Sequence, residues 1–222
     1  VLGVNLRPAV ARFWRPVVGG LVKAGVTADA VTLTGTLGAV ASAAFLIGTG
    51  RLFWGAFAVT VFVLLDMLDG ALARARGGGS LFGAVLDSTG DRAADAAIFG
   101  ALVWWFSGSG DNRLIVLLAL LCLVLGVLTS YVKARAEGVG VPCDVGVVER
   151  TERLILVLVG TGFTGLGIPY ALHVALWVLF VGSAVTVGQR FIAVYRGSRG
   201  RRLPMDPPSA PASPSPSSPA PS

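Results

Sequence analysis

Six stretches of nearly unbroken apolar residues dominate the chain, at about 30–49, 52–76, 81–106, 113–136, 150–167 and 170–195. A helix needs roughly 20 such residues to cross a bilayer core. The breaks between stretches are turn-forming: Gly50-Arg51, Gly77-Gly78-Gly79, Ser107–Asn112, the loop around Gly138–Val147, and Gly165–Pro169. This pattern predicts an all-α integral membrane protein with six transmembrane helices. Ahead of them, residues 4–24 mix Arg7, Arg12, Arg15 and Lys23 with Val, Leu, Phe13 and Trp14. That composition predicts an N-terminal interfacial helix, with an irregular juxtamembrane arm as the alternative because Pro8, Pro16 and Gly19-Gly20 interrupt it. From Pro204 onward Pro and Ser dominate, which predicts a disordered tail. The expected division is a juxtamembrane segment at 1–28, a six-helix transmembrane domain at 29–196, and a basic, then Pro/Ser-rich tail at 197–222. The first residues lack a long apolar stretch with a cleavage site, so no cleavable signal peptide is expected.

Composition sharpens this picture. Hydrophobic residues make up 54% of the chain and charged residues only 14%, where soluble domains carry about 25% charged. The net charge of +6 would suit nucleic acid, but its distribution argues otherwise. With both termini inside, 16 of the 18 Lys/Arg residues fall at cytoplasmic helix ends, and only Arg51 and Arg113 lie outside. This positive-inside bias expects cytoplasmic termini and attraction to anionic lipid. Cys122 and Cys143 have no metal-site spacing and read as plain thiols.

Four carboxylates within two adjacent spans demand an explanation, because charge inside a membrane is expensive. Asp66 and Asp69 lie near the end of span two, and Asp87 and Asp91 near the start of span three. The glycine turn between the spans puts both pairs at one depth. The i,i+3 and i,i+4 spacings place each pair on one helix face. Facing acids stay ionised in low dielectric only with positive charge between them. Carboxylate oxygens without His or Cys suit hard cations such as Mg²⁺ or Mn²⁺. Salt bridges to Arg74, Arg76 and Arg92, or an ion pathway, are the alternatives.

The full pattern, Asp66-x2-Asp69-Gly70-x2-Ala73-Arg74-x8-Gly83-x3-Asp87-x3-Asp91, resembles the signature of the CDP-alcohol phosphatidyltransferase family. The resemblance covers about residues 5–195, and it implies an enzyme of a bacterial inner membrane, assembled as a homodimer. It further implies two metal ions, Mg²⁺ with Mn²⁺ as the alternative, on the diphosphate of a CDP-linked lipid. Asp66, Asp69, Asp87 and Asp91 are then the metal ligands, with Asp91 also the catalytic base. The segment Val26–Thr32 is similar to the family's nucleotide-contacting stretch, although Ala28 stands where Pro is common. Asp29, Ala30, Val31, Thr32, Gly70, Arg74 and Ser80 would bind CDP-diacylglycerol. Thr32 could instead be a helix-start residue, and Ser80 an N-cap as well. Asp95 continues the Asp87–Asp91 face as a supporting or a structural residue.

Cations from three further helix ends converge on the same depth. Ser130 and Lys133 share a face at the end of span four. Arg150 and Arg153 open span five, and Arg190 lies near the end of span six. Such a cluster suits an anionic group on the acceptor. The segments SYVKARAE, ERTERLI and QRF resemble those of the actinobacterial branch whose acceptor is inositol phosphate. On that resemblance Ser130, Lys133, Arg135, Arg153 and Arg190 would bind inositol phosphate. Arg135 lies about 200° around the helix from Lys133, and a lipid-headgroup anchor is the alternative role for Arg135 and Arg150. A glycerol phosphate acceptor is the rival within the family, and a divalent-cation transporter is the rival outside it.

Overall fold

A computed structural model describes residues 17–199; the interfacial helix expected from residue 4 lies largely, and the Pro/Ser-rich tail wholly, outside them. Among the described residues the chain is all-helical. Helix α1 runs Ala28–Ser42 and continues as a π-helical turn, Ala43–Ile47. Then come α2 (Leu52–Asp66), α3 (Leu68–Ala75), α4 (Leu81–Ser107), α5 (Arg113–Gly138), α6 (Arg150–Gly165) and α7 (Ala171–Gly197). A helical turn at 17–23 precedes them.

The starts are capped as side-chain chemistry requires. Thr27, Ser80 and Asn112 accept from the amides of Ala30, Gly83 and Ile115 at 3.2, 2.8 and 3.1 Å, satisfying N–H groups with no helical partner. Glu149 and Glu152 form a reciprocal capping box at the head of α6. Between α3 and α4 the chain turns through Gly77 and Gly78, whose φ angles of 93° and 136° are the ones only glycine adopts freely.

Six helical legs close into a ring, each packing on two neighbours in the order α1, α2, α6, α7, α5, α4 and back to α1. Ile98, Phe99, Leu102, Ile115, Leu118, Leu172 and Leu176 are sealed inside it. The outer face is apolar: Phe45, Trp54, Phe57, Trp104, Val124 and Val181 are all more than half exposed. Apolar surface of that extent is unfavourable in water but suits lipid. Four legs are long and apolar enough to cross a membrane: Ala28–Ile47, Leu52–Ala75, Arg113–Gly138 and Ala171–Gly197. The protein is therefore a multi-pass membrane protein.

Two departures from sequence expectation bear on the site. The second span is not one straight helix; it breaks at Met67, where φ −59° and ψ −13° tighten the turn. Asp66 thus ends α2 while Asp69 opens α3. Helix α6 has 16 residues and reaches only about 24 Å. That is short of a ~30 Å hydrocarbon core; its charged head, Arg150 and Arg153, pairs with Asp91 and Asp95 of α4.

Candidate active site

The carboxylates gather where α1, α2 and α4 meet. Gly35 on α1 lies against Asp66, where a Cβ would come within 2.9 Å of the Asp66 Cβ. The small residue thus lets α1 pack directly against Asp66. Among the described residues, Asp66, Asp87 and Asp91 each bring a carboxylate oxygen within 4.8 Å of the others. Asp66 Oδ1 is buried and has no hydrogen-bond partner. A buried orphan oxygen in an all-carboxylate set, without His or Cys, fits a hard divalent cation.

Asp69 is placed beside this trio, not within it. Its Oδ2 accepts from Thr32 Oγ1 at 2.5 Å, and its Oδ1 accepts from the Gly70 amide. The break at Met67 is the reason, because it rotates Asp69 off the Asp66 face toward α1. Thr32 is thus no helix-start residue; Thr27 is the cap, and Thr32 is 3% exposed.

Two cavities adjoin the acids. The first, about 500 Å³, is lined by Thr27, Asp29, Thr32, Asp69, Gly70, Arg76, Ser80, Gly83 and Asp87 among others. Gly83 is open for a visible reason: a Cβ there would sit 2.8 Å from Asp29 Oδ1. Of the residues expected to bind the nucleotide, Asp29, Thr32, Gly70 and Ser80 line this cleft; Ala30 and Val31 do not. Arg74 is exposed beside Gly70, and Arg76 takes the place on the cleft wall expected of Arg74.

The second cavity, about 630 Å³, is lined by Arg92, Ser130, Lys133, Arg150, Arg153 and Arg190 together with Glu137 and Glu149. Ser130, Lys133, Arg153 and Arg190 come together as expected. Arg135 does not join them; it points to the exposed side of α5, as its angular separation from Lys133 requires. Lys133 Nζ pairs with Asp144 at 2.6 Å and Glu137 at 3.8 Å. That ammonium holds the carboxyl of Asp144, in the α5–α6 loop, below the usual carboxylate range. Arg190 is 4% exposed and donates to the carbonyls of Val145 and Thr129 at 2.9 and 2.6 Å. It therefore straps the loop as well as facing the cavity.

Two residues gain importance beyond their sequence signal. Arg150 Nη1 lies 2.7 Å from Asp91 Oδ1, so it touches the acids themselves and is not a lipid anchor. Its i,i+3 spacing to Arg153 was the available clue. Asp95 is 6% exposed and pairs with Arg153 at 2.8 Å. An apolar groove of about 480 Å³ between α2 and α6 also ends at Met67 and Arg150, beside the acids.

Acids able to hold a divalent cation, a cleft on one side and a basic cavity on the other define a metal-dependent group-transfer site. Residues 25–188 match the family model of CDP-alcohol phosphatidyltransferase, and the chain belongs to that family of enzymes. The phosphatidylinositol phosphate synthase of Mycobacteroides abscessus is 50% identical over 193 residues, 86% of this chain and 88% of its own. That of Streptomyces avermitilis is 44% identical over 205 residues, 89% and 84% respectively. The crystal structure of the Mycobacterium tuberculosis phosphatidylinositol phosphate synthase with CDP-DAG bound matches with a TM-score of 0.83 at 45% identity. The match covers 87% of this chain and 100% of that one. The same enzyme in complex with manganese and citrate matches with a TM-score of 0.80 at 46% identity, covering 85% and 92%.

Proposed function

We propose that the chain transfers the phosphatidyl group of CDP-diacylglycerol to a hydroxyl of inositol phosphate, releasing CMP. This is the activity named in its relatives. The observation that carries it is the basic cavity of Lys133, Arg150, Arg153 and Arg190, joined to the acids by Arg150, which reaches Asp91 at 2.7 Å. An acceptor with its own phosphate fits that cavity. The apolar groove ending at Arg150 suits the acyl chains of the other substrate.

In this reading Asp29, Thr32, Gly70 and Ser80 seat the cytidine diphosphate, with Arg76 and Arg74 neutralising phosphate from the exposed side. Asp66, Asp69, Asp87 and Asp91 would hold divalent metal, taken as two Mg²⁺ with Mn²⁺ as a substitute. Bound there, the metal would share the charge of the diphosphate and stabilise the departing CMP. Ser130, Lys133, Arg153 and Arg190 hold the acceptor phosphate. Asp91 takes the hydroxyl proton through an oxygen free of metal. The hydroxyl oxygen then bonds to the phosphorus of the phosphatidyl group as the bond to CMP breaks. Arg150, paired with Asp91 at 2.7 Å, holds that carboxylate in place for the task.

The catalytic unit is residues 29–196, crossing a bacterial inner membrane six times as a homodimer with both termini in the cytoplasm. The Lys/Arg asymmetry supports that orientation. The test is CMP release by purified protein from CDP-diacylglycerol, with Mg²⁺ or Mn²⁺, across inositol phosphate, inositol and glycerol phosphate. Release that depends on inositol phosphate supports the assignment. Release with glycerol phosphate alone refutes it.

A further inference from the structure

We propose that Asp95 and Gly126 are positioning residues that fix the Arg153 guanidinium against the acceptor cavity. The inference rests on Arg153 being an acceptor ligand. Neither residue belongs to the aspartate signature, and neither lines the acceptor cavity. Their contact with the acceptor is therefore indirect.

Three observations converge. Arg153 Nε and Nη2 both donate to Asp95 Oδ2, at 3.1 and 2.8 Å. Two donors of a rigid planar fork on one oxygen set the plane of the guanidinium as well as its place. Its other edge meets α5 at Gly126, where a Cβ would come within 2.9 Å of Nη1 and 3.1 Å of Cζ. Any residue but glycine would push the guanidinium aside. The group is thus held between a carboxylate and a notch, leaving the Nη1 hydrogens uncommitted to Asp95.

The third observation links this anchor to the chemistry. Asp95 follows Asp91 by four residues on α4, just over one helical turn or about 6 Å along the axis. On α6, Arg150 reaches Asp91 at 2.7 Å while Arg153 reaches Asp95 at 2.8 Å. The acceptor arginine is therefore registered one turn from the proposed base by two rungs between the same two helices. A simpler role for Asp95, neutralising a buried cation, does not account for the glycine notch. It also predicts the opposite sign, because removing a negative charge would make the cavity more attractive to phosphate.

The experiment is steady-state kinetics of purified full-length Gly126→Ala, Asp95→Asn and Arg153→Gln, varying inositol phosphate and CDP-diacylglycerol separately, with Tm measured alongside. Gly126→Ala changes no charge, and alanine's preference for helix over glycine offsets part of the cost of crowding the guanidinium, so Tm should fall only modestly. Its KM for inositol phosphate should rise about tenfold, within the ~10²-fold that a 1 Å misplacement can cost. Its KM for CDP-diacylglycerol should stay unchanged. Asp95→Asn should also raise the acceptor KM. An unchanged acceptor KM in Gly126→Ala, with a raised one in Arg153→Gln, would overturn the positioning role alone. Should Gly126→Ala not fold, an unchanged or lowered acceptor KM in Asp95→Asn would overturn it equally. An unchanged acceptor KM in Arg153→Gln would remove the acceptor assignment beneath it.

Discussion

Replacing Lys133 with Ala separates acceptor binding from folding more cleanly than any other change at the site. The Lys133 side chain is 34% exposed, and its ion partners are the exposed Asp144 and Glu137. Exposed pairs of that kind contribute about 0.2–1 kcal/mol, so Tm should fall little. A charge-assisted contact to the acceptor phosphate is worth about 1.5–3 kcal/mol. Its loss corresponds to a roughly 10- to 100-fold rise in KM for inositol phosphate. Arg153 and Arg190 are poorer probes because each also holds the structure together. Arg190 binds two backbone carbonyls, and Arg153 balances buried Asp95. The assay is CMP release in detergent at saturating CDP-diacylglycerol, with inositol phosphate varied and Tm recorded on the same preparation. A Lys133→Ala protein that melts like wild type and keeps the wild-type acceptor KM would refute the placement of the acceptor phosphate.

Other substitutions probe the remaining contacts. Asp66→Asn, Asp87→Asn and Asp91→Asn should each abolish turnover and weaken Mn²⁺ binding measured by electron paramagnetic resonance. Chelator should silence the wild type, and its full activity in excess chelator would contradict the metal site. Arg153→Ala leaves buried Asp95 with only Arg150 Nε, 3.9 Å away, losing much of the ~3–5 kcal/mol that a broken buried pair costs, seen as a fall in Tm. Thr32→Val removes the hydroxyl on Asp69, and loss of about 0.5–1.5 kcal/mol should raise the KM for CDP-diacylglycerol several-fold with the acceptor KM unmoved.

The spacing of the acids, the apolar spans, the Ser80 cap and the convergence of Ser130, Lys133, Arg153 and Arg190 were all legible in the sequence. Helical period and length fix the face a residue occupies, cap chemistry marks Ser80, and the family resemblance picked the acceptor set from the cations at that depth. Period does not say which neighbour that face meets. Asp69 therefore stands beside the trio, because the break at Met67 turns it toward Thr32 on α1. Arg74 and Arg76 are two residues apart at a helix end, and only the closing geometry of α3 sets which one lines the cleft. The Arg153–Asp95 and Arg150–Asp91 pairs join residues about sixty apart in the chain. They arise because α6 packs into a ring whose closure no local pattern records.

The most direct measurement is the mass of the lipid product formed by purified protein from CDP-diacylglycerol, a divalent cation and isotopically labelled inositol phosphate. The expected product is a phosphatidyl lipid that carries the labelled inositol and both phosphates, with one CMP released per product formed. No labelled lipid from inositol phosphate, alongside a phosphatidylglycerophosphate product when glycerol phosphate is supplied, would contradict it.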